Sequence, residues 1–479
     1  MVTDYPQTIF KYQHSHHHLY ILLKTAREKS VWHAIVALGS LHERFVEKER
    51  ELSGLDFLRR EQDAFTIREY STAIRALLSP SDQMNDRSVA SGFGNVTIDI
   101  LSGHYTSAVN HVRSGIKILH DVYYDAGCGV FRHPHLLPST VSNLEIESIR
   151  KIFVYLHTQT STLTRIEVDV PAHSPLNTPE TSETPFPSNI QIPESFTSVA
   201  EAAASLNSLK RSYIIHYRNI MQAVSIGKAP ETSEYLFEQI GSSVPRWCAA
   251  FARFEESRRH LHDGEQTGLK IVKIHQLHMV MYYEYARASE RALYRNERSL
   301  FSWDDYNDQF AEMVSMAASV VGNSHGTYSS PQGGQIQPVF CLDDGVLAPL
   351  YEVATLCRDP AIRRRAVDIL RSAPRQEGLF NSHLLAMVAE KAIAIEEKAA
   401  ITASGSMDYV SIVTNTKPEN PDASNAVITD SLQIPESVRL VYAFPKFDLT
   451  QKRISLTIGP STTREIDIPW PALDFLVGR

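Results

Sequence analysis

Apolar residues recur along most of the chain at spacings of three and four positions, which predicts amphipathic helices rather than strands. In residues 31–52, for example, Ile35 and Leu38 lie on one side of a predicted helix, while Glu43 and Glu47 lie on the other. The same spacing predicts helices at about residues 61–78, 106–124, 144–163, 199–226, 232–261, 269–294 and 303–321. We therefore expect an all-α fold, a multi-helix body whose helices share a core.

Several stretches interrupt the helical pattern. Six prolines stand among Ser, Thr, Glu and Asn between Pro171 and Pro193, so this stretch cannot propagate a helix and is predicted to be an exposed linker. Residues 322–338 and the polar stretch 402–435 are predicted loops. Near the end, VRLVYAF and RISLTIG predict two strands around a turn at residues 446–452, and so a small C-terminal β-hairpin.

These interruptions predict the domain organisation. The expected parts are an N-terminal helical part at 1–170, a linker at 171–196, a C-terminal helical part at 197–402, a polar loop at 403–436 and a small β-hairpin tail at 437–479.

Composition favours a folded intracellular protein. With 479 residues, 43% hydrophobic and 21% charged, the chain is long enough for a large core or two packed helical halves. Its formal charge of -8 and pI of about 6.2 give no overall positive field, so contact with DNA would need a dedicated basic module. Secretion and membrane spanning are disfavoured, because no segment reaches about 18 apolar residues without charges.

The cysteines argue against a metal or disulfide framework. Cys128, Cys248, Cys341 and Cys357 stand far apart and form no C-x-x-C pair, which fits reduced thiols in an intracellular compartment. A binuclear zinc cluster needs six thiolates within a short span, and this chain does not have six cysteines.

A histidine cluster near the N-terminus invites a metal-site interpretation, because neutral imidazoles bind zinc, copper and nickel. Its members are His14, His16, His17 and His18. Adjacent side chains on a helix point about 100 degrees apart, so no more than two of these would converge, and no acidic or cysteine partner sits nearby. A solvated polar segment is the favoured interpretation, and no metal site is predicted.

Catalytic chemistry has little support in the sequence. No G-x-S-x-G, phosphate-binding glycine loop, H-E-x-x-H or dinucleotide fingerprint is present. The pairs Glu255 with Glu256 and Asp343 with Asp344 could do acid–base work, but exposed carboxylates more often serve solvation or capping. We predict a non-enzyme without catalytic residues. The alternative from another class is a helical enzyme with no recognisable motif, which would need a deep polar pocket with convergent titratable groups.

One short helix, at residues 360–372, is predicted in detail. Asp359 can cap it, and Pro360 fits the first helical position, where no amide hydrogen is needed. Its predicted apolar stripe consists of Ile362, Ala366, Ile369 and Leu370. The three arginines at 363–365 spread around the helix, so we expect them to pair with carboxylates such as Glu352 or Glu377 rather than with phosphates.

That helix lies in a block with a family resemblance. PLYEVATLCRDPAIRRRAVDILRSAPRQEGLFNS, followed by a helix ending in AIAIEEKA, closely resembles the C-terminal part of the fungal-specific domain of zinc-cluster transcription factors. The family pattern is an apolar helix ending at Cys-Arg-Asp-Pro, a basic amphipathic helix and then Glu-Gly-Leu-Trp. The matching residues are Cys357, Arg358, Asp359, Pro360, Arg363, Arg364, Glu377, Gly378 and Leu379, whereas Phe380 replaces the usual tryptophan.

Other stretches agree with the same family. Residues 30–45, residues 102–119 and the terminal stretch beginning IPESVRLV are similar to it. The sequence departs from the family at SVASGFGNVTIDIL, where the family has an apolar helix. Gly92 and Gly94 there weaken a helix by about 1 kcal/mol each relative to alanine.

The resemblance implies the regulatory body of a fungal transcription regulator that controls RNA polymerase II target genes in the nucleus. It implies protein partners from the transcription machinery and allows a homodimer. The family's DNA-binding cluster should precede residue 1, so zinc and DNA are expected only through that module, and no cofactor is expected in this chain. The alternative within the family is a truncated member that acts as a coregulator or dominant-negative form without DNA binding.

An effector site cannot be assigned from the sequence, but one helix is a candidate. Residues 279–294 are rich in aromatic side chains, among them Tyr282, Tyr283 and Tyr285. These tyrosines fit a helix interface better than a ligand site, with their hydroxyl groups at the edge.

Overall fold

A computed structural model describes much of the chain. The described residues are 32–40, 56–77, 96–100, 105–121, 124–125, 130–131, 152–153, 155–157, 159, 192–210, 213, 233–257, 263–295, 301–326, 339–342, 344–372, 374–404, 430, 433–435, 438–440, 445–448, 453–458 and 464–469. Of these residues 84% are helical, so the predicted all-α fold is confirmed.

The helices follow the apolar periodicity of the sequence. The longer ones are α1 (Asp56–Leu77), α2 (Tyr105–Asp121), α3 (Ser233–Ser257), α4 (Asp263–Arg295), α5 (Asn307–Gly326), α6 (Leu347–Leu356), α7 (Pro360–Ser372) and α8 (Ser382–Ser404). Residues 32–40, 96–100 and 199–210 are also helical. A short 3-10 turn, Trp303–Tyr306, precedes α5, and Ser302 Oγ caps it by accepting from Asp304 N at 3.3 Å.

One helix end differs from its prediction. Helix α5 runs to Gly326, so the loop predicted at 322–338 cannot begin before residue 327. Gly322 is exposed within this helix. A glycine at such a position costs a helix only about 1 kcal/mol, which neighbouring packing can offset.

The C-terminal β-structure is a three-stranded antiparallel sheet rather than the predicted two-stranded hairpin. Its strands are β6 (Pro445–Asp448), β7 (Arg453–Ile458) and β8 (Arg464–Pro469), in the order β6-β7-β8. The second predicted strand is confirmed as β7. The first was misplaced, because Val438 and Leu440 precede β6 and are apolar for a different reason: they are buried in clusters with residues of the helices.

A second small sheet lies inside the body and was not predicted. Strand β3 (Val339–Cys341) pairs in parallel with β4 (Arg375–Glu377), which pairs antiparallel with β5 (Phe380–Asn381). These strands are only two or three residues long and are buried, so they show no polar–apolar alternation for sequence analysis to detect. A two-stranded ribbon, β1 (Tyr124–Asp125) with β2 (Val130–Phe131), completes the described strands.

The main core unites residues that are distant in sequence. Helices α6 and α8 contact the inner sheet, with Leu350 of α6 and Leu385 of α8 each about 1% exposed. Val112 of α2, with Phe153 and Leu156 from the next helical residues, belongs to the same core. Helix α2, Phe153 and Leu156 therefore share a core with the C-terminal helices, while Ala73 of α1 belongs to a separate small cluster with Ala37 and Ile98.

A smaller core forms between residues 192–213, α3 and α4. Trp247 lies at its centre, with its ring 4.9 Å from that of Phe251 and 5.5 Å from that of Phe196. Ile192 and Phe196, at the end of the predicted linker, are buried there. The domain boundaries themselves stay a prediction.

Candidate functional site

The Cys-Arg-Asp-Pro block forms the junction between α6 and α7. Asp359 Oδ1 accepts from the backbone N–H groups of Ala361 and Ile362, both at 2.9 Å, and Pro360 opens the helix. The predicted cap is therefore confirmed. Buried Cys357 donates to Asn307 Oδ1 at 3.4 Å, and burial raises the pKa of its thiol to about 12, so this thiol is structural rather than reactive.

The buried face of α7 agrees largely with its predicted stripe. Ala366 and Leu370 are fully buried, while Ile362 and Ile369 are partly buried against the main core. The same face also buries two residues that were not predicted, Arg363 and Val367.

Arg358, Arg363 and Glu396 form an ionic cluster inside the protein, and none is more than 2% exposed. Arg358 Nη2 donates to Glu396 Oε1 at 2.7 Å, and Arg363 Nη1 donates to Glu396 Oε2 at 3.1 Å. Nearer the surface, Arg364 Nη2 donates to both carboxylate oxygens of Glu397, at 2.7 and 2.8 Å. Two adjacent arginines of α7 are thus fixed to two adjacent glutamates of α8.

The expectation that these arginines pair with carboxylates was right in kind, but Glu352 and Glu377 were the wrong partners. Glu352 contacts His278 of α4, and Glu377 faces Arg375 at 3.2 Å. The physical reason is that α7 packs against α8 and presents its arginines to that helix. Arg365, the third arginine, is exposed.

The side chain of Glu377 connects the inner sheet to helix α6. Its carboxylate accepts from the backbone N–H of Val346 at 3.1 Å and of Leu347 at 2.8 Å. It therefore provides acceptors for the backbone N–H groups at the start of α6, where Val346 makes no side-chain cap hydrogen bond. Burial raises the pKa of Glu377, while Arg375 and these two N–H groups act against that rise.

Gln159 holds the turn that follows. Gly378 has a φ of 56 degrees, a left-handed conformation that favours glycine. Gln159 Nε2 donates to the carbonyl of Glu377 at 3.1 Å, and its Oε1 accepts from Leu379 N at 2.7 Å. The Glu-Gly-Leu turn is thus bonded to the N-terminal helical part. Phe380, which follows it, is buried in β5.

A second polar cluster, Lys210 with His275 and Asp344, connects the two cores. Lys210 Nζ donates to Asp344 Oδ2 at 2.7 Å and lies 3.0 Å from His275 Nδ1. His275 Nε2 lies 2.8 Å from the carbonyl of Gly345. A neutral imidazole that accepts at Nδ1 and donates at Nε2 satisfies both contacts, and burial accordingly lowers the pKa of His275 to about 3.

The aromatic helix has its tyrosines in packing contacts. Tyr283 is buried in the smaller core. The ring of Tyr282 lies 5.5 Å from Trp303, and that of Tyr285 stacks on Trp303 at 5.2 Å. These contacts agree with the favoured helix interface.

The other candidate residues that the structure describes have separate partners. Asp344 bonds Lys210, and its neighbour Asp343 lies outside the described residues. Glu255 lies 3.5 Å from Lys273. The histidine cluster at 14–18 also lies outside them. Within the described ranges, no group of three or more His, Cys, Asp or Glu side chains could hold a metal ion, and no helix is long and apolar enough to cross a membrane.

Two key residues of this arrangement, Glu396 and Gln159, were missed by sequence analysis. A signal existed for Glu396, since it stands three residues after buried Ile393 and three before buried Ala399 on α8. A glutamate at that spacing falls on the buried face and needs a cationic partner. Gln159 gave no comparable signal, because its partners are more than 200 residues away in sequence.

Comparison with known proteins gives one partial relationship. Over 61 residues, 13% of this chain, the sequence is 39% identical to the aspercryptin biosynthesis cluster-specific transcription regulator atnN of Emericella nidulans. The match spans 10% of that regulator's length. No family model and no solved structure matches the chain. The match supports a transcription-factor relationship.

Proposed function

We propose that the chain is the regulatory body of a fungal zinc-cluster transcription regulator, which controls RNA polymerase II target genes through protein contacts and performs no catalysis. The observation that supports this most is the similarity to a fungal cluster-specific transcription regulator. The mostly helical fold agrees with the fold expected of such a body.

The family-motif residues support the proposal because their contacts join the helices of the body to one another. Arg358 and Arg363 join α7 to α8, Glu377 joins the inner sheet to α6, and Gly378 meets the N-terminal helices. A body that acts through its surface needs its helices held in a fixed arrangement. These residues hold that arrangement, so their proposed role is architectural.

The test is transcription from a reporter gene. The full chain is fused to a heterologous DNA-binding module in a fungal strain, and reporter transcript is compared with that from the module alone. We expect transcript to rise or fall at least severalfold, and a fluorescently tagged chain to accumulate in the nucleus. An unchanged transcript from a stable, nuclear fusion would contradict the proposal.

The net charge favours a second form of the same function, a coregulator that does not itself bind DNA. With a formal charge of -8, the chain offers no general attraction for phosphates. Purified chain is expected to leave fungal promoter DNA unshifted in a gel, while a version extended by a cysteine-rich zinc cluster shifts it. Tight, site-selective binding by the chain alone would refute this form.

A further inference from the structure

Four residues near the C-terminus lie against the helical body and are here called the docked segment: Ile434, Val438, Arg439 and Leu440. Ile434 and Val438 pack on two buried alanines near the end of α8, and Leu440 belongs to the main core. Residues 405–429 separate the docked segment from α8 along the sequence. Its place on the body is therefore fixed by non-covalent contacts.

The buried ionic cluster binds the backbone of this segment. Leu440 N donates to Glu396 Oε1 at 2.8 Å, and the carbonyl of Leu440 accepts from Arg358 Nη2 at 3.2 Å. Both contacts use main-chain atoms of one residue, and this residue follows a turn in which Val438 N donates to the carbonyl of Pro435 at 3.0 Å. Charged partners make these hydrogen bonds stronger than bonds between neutral groups.

The arginine of the segment has its own partner. Arg439 Nη2 donates to Asp304 Oδ2 at 2.5 Å, and Arg439 Nε donates to the carbonyl of Ile434 at 3.1 Å. The side chain of Asp304 is 23% exposed, so this contact lies at the rim. The surface formed by Asp304, Arg358 and Glu396 thus binds an arginine side chain together with the backbone of the residue that follows it.

The ionic cluster has more cationic donors than acceptors. Two guanidinium groups share the single wholly buried carboxylate of Glu396. Arg358 Nε, Arg363 Nε and Arg363 Nη2 are buried without a hydrogen-bond partner in the described structure. Buried donors favour added acceptors, and the carbonyl of Leu440 supplies one without adding charge, although it accepts from Arg358 Nη2 and not from the three unpartnered atoms.

We propose that the surface formed by Asp304, Arg358 and Glu396 is a peptide-docking site, which the chain's own docked segment fills as a built-in competitor. The ligand is a turn-forming segment of a partner protein that carries an arginine followed by leucine, with apolar residues before them. Charge complementarity with Asp304 and the seated segment itself define this chemistry. The inference rests on the proposed function and names the class of partner.

The test uses a fluorescent peptide of residues 430–443 and the purified full chain. Arg439→Asp weakens the competitor, so this variant binds the wild-type peptide about tenfold more tightly than the wild-type chain does. Asp304→Arg rejects the wild-type peptide but binds a peptide carrying Arg439→Asp. A peptide with Leu440→Asp is the matched control and binds neither chain. Arg439→Gln, which is less disruptive, tightens binding in the same direction.

Equal peptide affinity in all chains, or no binding by variants that keep their helical circular dichroism, would overturn the proposal. A second copy of the chain is the other possible occupant. If the mass of the wild-type chain doubles with concentration while the Arg439→Asp variant stays monomeric, the surface binds a second copy and the proposal of a partner peptide is wrong. Peptide binding is measured without transcription, so its failure is distinguishable from a failed reporter experiment.

Discussion

Replacing Glu396 by glutamine isolates the contribution of the buried ionic cluster. The carboxylate accepts three hydrogen bonds: from Arg358 at 2.7 Å, from Leu440 N at 2.8 Å and from Arg363 at 3.1 Å. The first two share Oε1, so the glutamine oxygen can keep them. The amide nitrogen then faces Arg363 Nη1, so that two hydrogen-bond donors oppose each other. The two buried guanidinium groups also lose the negative charge that they share.

The expected loss of stability follows from burial. Removing one member of a buried ion pair typically costs about 3–5 kcal/mol, because the remaining charge is left uncompensated. Glu397→Gln is the matched control one residue away. Its close partner Arg364 has a side chain 42% exposed, and its second partner, buried Arg363, is at 4.0 Å, the limit of an ion pair, so that loss should be about 0.2–1 kcal/mol.

The assay is urea unfolding of the full chain, followed by far-ultraviolet circular dichroism. We expect the free energy of unfolding to fall by about 3–5 kcal/mol in Glu396→Gln and by less than about 1 kcal/mol in Glu397→Gln. Equal losses in the two variants, or a loss below about 1 kcal/mol in Glu396→Gln, would refute the reasoning that the cluster depends on its buried counter-charge.

The remaining predictions concern single positions. Gly378→Ala should destabilise the chain by at least about 1 kcal/mol in urea unfolding. The added Cβ would lie 2.3 Å from Gln159 Oε1, and the φ of 56 degrees disfavours any residue but glycine. An unchanged urea midpoint would count against the described turn. Gly322→Ala, on an exposed helix position with open space around the added Cβ, should instead stabilise by up to about 1 kcal/mol, and a loss would contradict the helical assignment. The pKa of His275 is about 3 when folded against 6.5 when unfolded, so stability should fall by about 1.4 kcal/mol per pH unit as pH drops from 6.5 towards 3. Urea midpoints at pH 7, 6 and 5 should show a smaller decline in His275→Gln, and identical slopes would refute a buried neutral imidazole.

Local features of the fold could be predicted from the sequence. The cap by Asp359 and the proline that opens α7 depend only on neighbouring residues, and both were confirmed. The apolar period likewise placed the bodies of the helices, because one face of each must be buried. These features need no knowledge of which helices pack together.

Long-range features could not be predicted in the same way. Arg363 was expected to find a carboxylate, but only the packing of α7 on α8 selects Glu396. Val438 and Leu440 are apolar because they dock on helices, and their spacing was mistaken for that of a strand. A single sequence contains no signal that distinguishes these two causes of apolar spacing.

The proposed regulation of transcription by this packed helical body is open to direct measurement. Its most direct measurement is reporter transcript from the chain fused to a heterologous DNA-binding module, with the wild type, Glu397→Gln and Glu396→Gln compared at equal protein level. We expect the wild type and Glu397→Gln to change transcript equally, while Glu396→Gln loses most of that change. No effect of the wild-type chain, or full effect from an unfolded Glu396→Gln variant, would contradict it.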